Sequence, residues 1–172
     1  TDETSIEAEF WKQSTLGDLS LHDGWKVGCD KSKTAVVASA DTSSAKIIER
    51  VFLLTKGSET RKIHHFHYEG WEDSESAPSE TLFIKLMHRV DEVGGKMWVN
   101  CKGGNGRTGA FALAHWGKQK IDRAIKSGIS HEVISLNLAE MLAELRGQRR
   151  KCISQLSQLR QVYLVLHRYL TD

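Results

Sequence analysis

Residues Trp98-Val99-Asn100-Cys101-Lys102-Gly103-Gly104-Asn105-Gly106-Arg107-Thr108-Gly109 restrict the fold more than any other part of the chain. A short apolar run, Met97–Asn100, reads as a strand. It enters a loop with three glycines, and a helical pattern follows. The glycines let successive backbone N–H groups turn toward one centre. The helix adds the positive end of its dipole at the same point. Such a cradle suits a tetrahedral anion, and Arg107 offers a planar fork for two of its oxygens, which lysine does not. Lys102, Gly103, Gly104, Asn105 and Gly106 form the cradle wall. Cys101 stands at its mouth, where the N–H groups, the helix end and Arg107 all favour a thiolate. Thr108 can donate its hydroxyl to the sulfur. A nucleotide-binding Walker loop would end in Gly-Lys-Ser/Thr, and that ending is missing.

The remainder of the chain reads as one domain, 1–172, with strands before the loop and helices after it. Lys26–Cys29, Thr34–Ser39, Ile47–Leu54 and Lys62–Tyr68 are β-branched or aromatic runs separated by turn residues. The only proline, Pro78, opens a helix running to Val93, where Gly94-Gly95 stops it. A second helix spans Thr108 to Ser127. Ser130 caps a third whose apolar face is Ile134, Leu138, Met141, Leu142 and Leu145. The last repeats the pattern with Leu156, Leu159, Tyr163, Leu166 and Leu170. This order predicts an α/β (α+β) fold: a twisted mixed sheet with flanking helices, the phosphate loop between a strand and a helix, and a C-terminal helical bundle.

Charge and cysteine usage narrow the function. Formal net charge is only +2, which argues against a nucleic-acid protein held by its overall field. No apolar run is long enough to span a membrane. Three cysteines without CxxC spacing make a poor disulfide framework and a poor zinc site, and fit a reducing, cytoplasmic setting. His65 and His67 share one strand face, but no acidic residue is spaced to complete a metal site with them. No metal and no cofactor is expected.

A cysteine attacking phosphorus leaves an oxygen that must be protonated. Asp73 is the candidate acid. It lies in a polar loop, Tyr68–Pro78, anchored by Trp71 and able to close over a site. Arg146, Arg149, Arg150 and Lys151 read as a solvated helix end, favourable against the helix dipole.

These segments together resemble the classical protein tyrosine phosphatases. Cys101 to Arg107-Thr108-Gly109 matches the Cys-x5-Arg-Ser/Thr-Gly signature. His65–Tyr68 resembles the family's His-Phe-His-Tyr strand, and Trp71-Glu72-Asp73 its Trp-Pro-Asp lid. Arg146–Arg149 resembles its Arg-x-x-Arg segment, Gln158-Leu159…Tyr163 its Gln-Leu-x-x-x-Tyr segment, and Phe10-Trp11 an aromatic pair ahead of the middle strands. The resemblance implies a two-step reaction. Cys101 attacks phosphotyrosine while Asp73 protonates the leaving oxygen. Water then hydrolyses the cysteinyl phosphate with Asp73 as base.

The sequence departs from that pattern in four places. Asn100 replaces the signature histidine, which implies a higher thiol pKa and reduced activity. Glu72 replaces the lid proline and its fixed φ. The water-positioning glutamine has three candidates: Ser154 without gaps, and Gln155 and Gln158 beside it. About a hundred residues of the family domain have no counterpart before Phe10-Trp11. Either a separate N-terminal segment completes the domain, or the domain is a reduced form, or the chain does not select tyrosine by pocket depth. The expected partner is a phosphotyrosine protein or peptide. Two other readings remain: a phosphoinositide phosphatase, on the strength of Lys102, and a pseudophosphatase that binds phosphotyrosine without turnover.

Overall fold

A computed structural model describes residues 18–40 and 43–171; Phe10 and Trp11 lie outside them. The chain divides into two compact units. One comprises residues up to Ser39 with Lys46–Glu69, and the other comprises Ala40–Ala45 with residues from Gly70 onward.

The first unit is a four-stranded antiparallel sheet in the order β1-β2-β3-β4. Its strands are β1 (Leu19–Ser20), β2 (Lys26–Ser39), β3 (Lys46–Lys56) and β4 (Glu59–Glu69). The β3–β4 hairpin pairs without slip from Lys46↔Glu69 to Lys56↔Glu59. Gly57, at φ 58°, supplies the left-handed residue of its turn. Ile47, Glu49 and Val51 alternate to the buried side of β3, as a period of two requires. Glu49 is buried among them because His64 Nδ1 lies 2.8 Å from its carboxylate. The two runs expected at 26–29 and 34–39 are one strand, broken in register between Asp30 and Ala35. A bulge there keeps the chain in the sheet while its side chains change phase.

The second unit holds four α-helices: α1 (Glu80–Val93), α2 (Gly106–Lys126), α3 (Leu138–Gln148) and α4 (Leu156–Thr171). Ser79 caps α1, its Oγ accepting from Leu82 N–H at 3.2 Å. Leu82, Phe83, Leu86 and Met87 bury one face of that helix. Helix α2 carries Ala110, Phe111, Leu113, Ala114 and Ile121 into the core. Phe83, Phe111 and His115 form a ring ladder, with centroids 5.9 and 5.7 Å apart.

A charged cluster ties three of these helices together. Asp91 of α1 lies 2.7 Å from His115 Nε2 and accepts from Lys118 Nζ at 2.7 Å, both from α2. Lys118 also donates to Asp122 at 2.8 Å, and Tyr169 of α4 donates to Asp122 at 2.5 Å. Lys118 is 4% exposed. Burial acts to lower its pKa, but Asp122 and Asp91 more than offset this and raise it above the ordinary lysine value.

The α/β class is as the sequence predicts, with differences in detail. Among the described residues the sheet is antiparallel rather than mixed. Met97–Asn100 is not a strand; it takes no ladder partner among the described residues, and Trp98 is 90% exposed. Ser130 introduces only a 3-10 turn, His131–Val133. Helix α3 starts later, capped by Asn137, which accepts from Glu140 N–H at 3.1 Å. The β-branched Val133 and Ile134 lie outside it, consistent with their weak helix preference. On α4 the buried face is Gln158, Gln161, Val162, Val165 and Leu166. Leu156 and Tyr163, assigned to the core by periodicity, are 81% and 53% exposed. Two glutamines occupy the buried face: backbone groups satisfy both amide atoms of Gln161 and the Nε2 of Gln158. Arg146 is exposed in the last turn of α3, as the sequence predicts, and its guanidinium also donates to the carbonyls of Cys152 and Ile153 at 3.0 and 2.6 Å.

Candidate active site

The loop from Cys101 to Gly106 is shaped by contacts that exclude side chains. Gly104 adopts φ +63°, and a Cβ there would lie 2.7 Å from Arg149 Nη2. A Cβ on Gly106 would meet the Gln158 amide at 2.7 Å. Asn105 ends the loop at the α2 N-cap, but its side chain does not cap the helix. Its Oδ1 instead accepts from Arg149 Nε at 3.1 Å. Its carbonyl accepts from Gly109 N–H, within the helix, and from Ile153 N–H at 3.3 Å. Ile153 is buried at φ 54°, an unusual conformation for a β-branched residue. Contacts on both its N–H and its carbonyl hold it there.

Cys101 is half-buried at the start of this loop. Burial raises its pKa, but hydrogen bonds from the Thr108 hydroxyl, Thr108 N–H and Gly104 N–H, with the charge of Arg107, outweigh it. The thiol lies below its ordinary value. The Thr108 hydroxyl is buried and has no partner at full hydrogen-bond geometry among the described residues. Asn100 is exposed; the thiol is depressed with no charged residue at that position. Lys102 and Gly103 are exposed, and Gly104, Asn105 and Gly106 are half-buried.

Arg107 joins this loop to the Trp71–Ala77 loop. Its Nη1 donates to the Trp71 carbonyl at 2.7 Å and its Nη2 to Asp73 Oδ1 at 3.0 Å. Its Nε is buried without a partner among the described residues. A buried N–H left unpaired is costly, and an anion seated in the loop would satisfy it. Trp71 anchors the lid: its ring packs 5.3 Å from Phe83, and its Nε1 donates to the Glu75 carbonyl at 2.9 Å. Asp73 and Glu72 are exposed. The arrangement gathers a nucleophile, an anion cradle, a cation and a carboxylate, the parts needed for covalent phosphoryl transfer.

The three glutamine candidates separate cleanly. Ser154 and Gln155 are exposed. Gln158 is 1% exposed and lies against Gly106; its Nε2 donates to the Glu75 carbonyl at 3.3 Å, and its Oε1 has no partner. Sequence reasoning missed Arg149 as the brace of the loop and Gln161 as a lid contact. The signal for Gln161 was its spacing of three from Gln158, which puts both amides on one helical face. Among the described residues no group of three or more His, Cys, Asp or Glu is placed to hold a metal ion, and no helix is long and apolar enough to cross a membrane.

Comparison with known proteins bears on the same site. The protein-tyrosine phosphatase family matches residues 3–168. Tyrosine-protein phosphatase 2 of Dictyostelium discoideum is 32% identical over 124 residues, covering 70% of this chain and 32% of that protein. Human tyrosine-protein phosphatase non-receptor type 2 is 29% identical over 165 residues, covering 92% of this chain and 36% of that protein. Among solved structures, the catalytic domain of human protein tyrosine phosphatase non-receptor type 18 superposes with a TM-score of 0.67 at 17% identity. That match covers 91% of this chain and 52% of that domain. A structure of the same phosphatase in complex with HER2 phosphopeptides gives 0.70 at 17% identity. The chain thus spans about a third of the curated relatives it matches and about half of the solved domain.

Proposed function

The chain belongs to the protein-tyrosine phosphatase family, and on that premise we propose that it hydrolyses phosphotyrosine in proteins through a cysteinyl-phosphate intermediate. One observation carries the reading: a thiol held below its ordinary pKa by Thr108, Gly104 and Arg107 shares Arg107 with the lid carboxylate Asp73. In the first step Cys101 Sγ attacks phosphorus and the bond to the tyrosine oxygen breaks. Asp73 gives that oxygen its proton. In the second, water attacks phosphorus, Asp73 takes a proton from it, and the thiolate leaves. Arg107 Nε and Nη2 and the N–H groups from Lys102 to Arg107 bind the equatorial oxygens in both steps. Gln158, with its unpartnered Oε1 beside Gly106, orients the water; Ser154 and Gln155 point to solvent-exposed positions and do not take that part.

The two compact units are read as parts of one phosphatase domain. A reducing cytoplasm suits the free thiol, and a role in signalling follows from the substrate class.

Binding without turnover is the second reading. The Asp73–Arg107 pair favours it, because the acid is occupied before substrate arrives. A phosphoinositide substrate is less well supported: Asn105, where a second loop cation would stand, has its side chain committed to Arg149.

The test is phosphate release from a phosphotyrosine peptide across pH 5 to 8 by the wild type, Cys101→Ser and Asp73→Ala, with a phosphoinositide panel alongside. Turnover of the peptide that Cys101→Ser abolishes and Asp73→Ala cuts sharply supports the enzyme. Tight peptide binding that needs Arg107 but yields no phosphate supports the second reading and overturns the first.

A further inference from the structure

Helix α4 turns two glutamines, one helical turn apart, onto the lid loop. Gln158 Nε2 reaches the Glu75 carbonyl. Gln161 makes the closer contact. Its Oε1 accepts from Ala77 N–H at 2.6 Å and its Nε2 donates to the Ala77 carbonyl at 2.5 Å. The side chain thus pairs with one residue's backbone at two points, as a neighbouring strand would. Gln161 is 5% exposed and Ala77 6%, so neither backbone group has water to fall back on. The pair is directional: it fixes both the position of Ala77 and the orientation of its peptide.

The lid is therefore held at both ends by different means. At its start, the Trp71 ring packs on Phe83 and the Trp71 carbonyl accepts from Arg107. At its end, Gln161 holds Ala77. Asp73 lies between these anchors, exposed, and two residues before Glu75. Ser74, next to it, takes φ 64°, a left-handed conformation that is costly for a residue with a side chain. Glu72 supplies no rigid φ of its own, unlike proline. Restraint that the lid sequence lacks is supplied from α4.

We propose that Gln161 is a positioning residue for the general acid: its two-point pair with Ala77 sets the reach of Asp73 to the leaving oxygen. It touches neither phosphate nor thiol, and it acts through the lid. The inference rests on the phosphatase reading above and is separable from it, because a misplaced acid has a specific kinetic signature. Loss of proton donation slows substrates whose phenol is a poor leaving group. Substrates whose phenol leaves unprotonated are spared.

The experiment compares phenyl phosphate with 2,4-dinitrophenyl phosphate for the wild type, Gln161→Leu and Gln161→Glu. Gln161→Leu keeps the volume and removes both hydrogen bonds. It is expected to lower kcat on phenyl phosphate by about 10- to 100-fold, and on the dinitrophenyl ester by less than about 3-fold. Its kcat for phenyl phosphate is expected to vary less with pH than that of the wild type. Gln161→Glu puts a carboxylate against the Ala77 carbonyl when ionised, and restores donor and acceptor together when protonated. Its deficit on phenyl phosphate should shrink as pH falls below about 5. This second variant keeps the test alive should the leucine variant fold poorly. Equal losses on both substrates, or no loss on either, overturn the inference. Wild-type protein that turns over neither ester overturns the phosphatase reading and the inference with it.

Discussion

Arg107 Nη2 donates to Asp73 Oδ1 at 3.0 Å, so the phosphate clamp and the candidate acid hold each other before any ligand arrives. A phosphate entering the loop competes with the Asp73 carboxylate for one guanidinium. The exchange is inexpensive, because Asp73 is 59% exposed and such pairs contribute little. It also releases the Asp73 side chain from Arg107.

Asp73→Asn is accordingly expected to move binding and turnover in opposite directions. Calorimetry with inorganic phosphate should show affinity raised about 2- to 5-fold, the release of a modest ion pair. Steady-state turnover of a phosphotyrosine peptide should fall about 100-fold or more. Unchanged or weaker phosphate binding would show that the pair does not guard the clamp.

The thiol of Cys101 should ionise below the range of an ordinary cysteine, and Thr108→Ala should return it part of the way. Burial works against the thiolate, and the Thr108 hydroxyl is the foremost of the groups that overcome it. Alkylation by iodoacetamide, followed as a function of pH, reads the midpoint directly. A midpoint that Thr108→Ala leaves in place would assign the shift to the backbone N–H groups and Arg107 alone.

Gln158→Leu should separate the two chemical steps. With no amide oxygen to orient water, the cysteinyl phosphate is expected to accumulate, and hydrolysis to slow by about 10- to 100-fold. Rapid mixing with 4-nitrophenyl phosphate should then give a burst of nitrophenol followed by a slow steady rate. Ser154→Ala and Gln155→Ala should show no such burst. Accumulation in the Ser154 variant instead would return the role to the ungapped position.

The sheet unit should lose stability in acid. His65 titrates at about 4, lowered first by burial and then by Arg50 and His67; His67 is lowered for similar reasons. An unfolded imidazole takes its proton near 6.5. Between these values the unfolded chain binds more protons, so stability is full above about pH 6.5 and falls as pH drops toward 4. Urea unfolding at pH 7.5 and 4.5 should show a difference of roughly 2 kcal/mol from His65 alone. His65→Gln should flatten that slope. A slope that survives the substitution would place the acid sensitivity elsewhere.

Most of the phosphate loop was legible because its determinants are local. Glycine positions, the Cys-to-Arg spacing and the helix start all fall within twelve consecutive residues. The lid was legible as a polar loop after a strand, with Trp71 as its anchor. The face of α4 was not. Periodicity favours Leu156 and Tyr163 for the core, yet Gln158 and Gln161 are buried. An amide costs little to bury when backbone groups satisfy it, and those groups come from residues about eighty positions earlier. Met97–Asn100 has strand composition, but a strand also needs a partner, and composition cannot supply one.

The cluster around Lys118 favours one register for the packing of α1, α2 and α4. Leu82, Phe83, Leu86 and Met87 form an apolar stripe, and such stripes accept a neighbour slid along by one turn with modest loss. The charges do not. A slip of about 5.4 Å parts Asp91 from both Lys118 and His115 and leaves the desolvated ammonium with Asp122 alone. Apolar contact thus draws the helices together, and the cluster rejects misaligned encounters. Because α2 begins at Gly106, the register that the cluster favours is also the register in which the loop from Cys101 to Gly106 is carried.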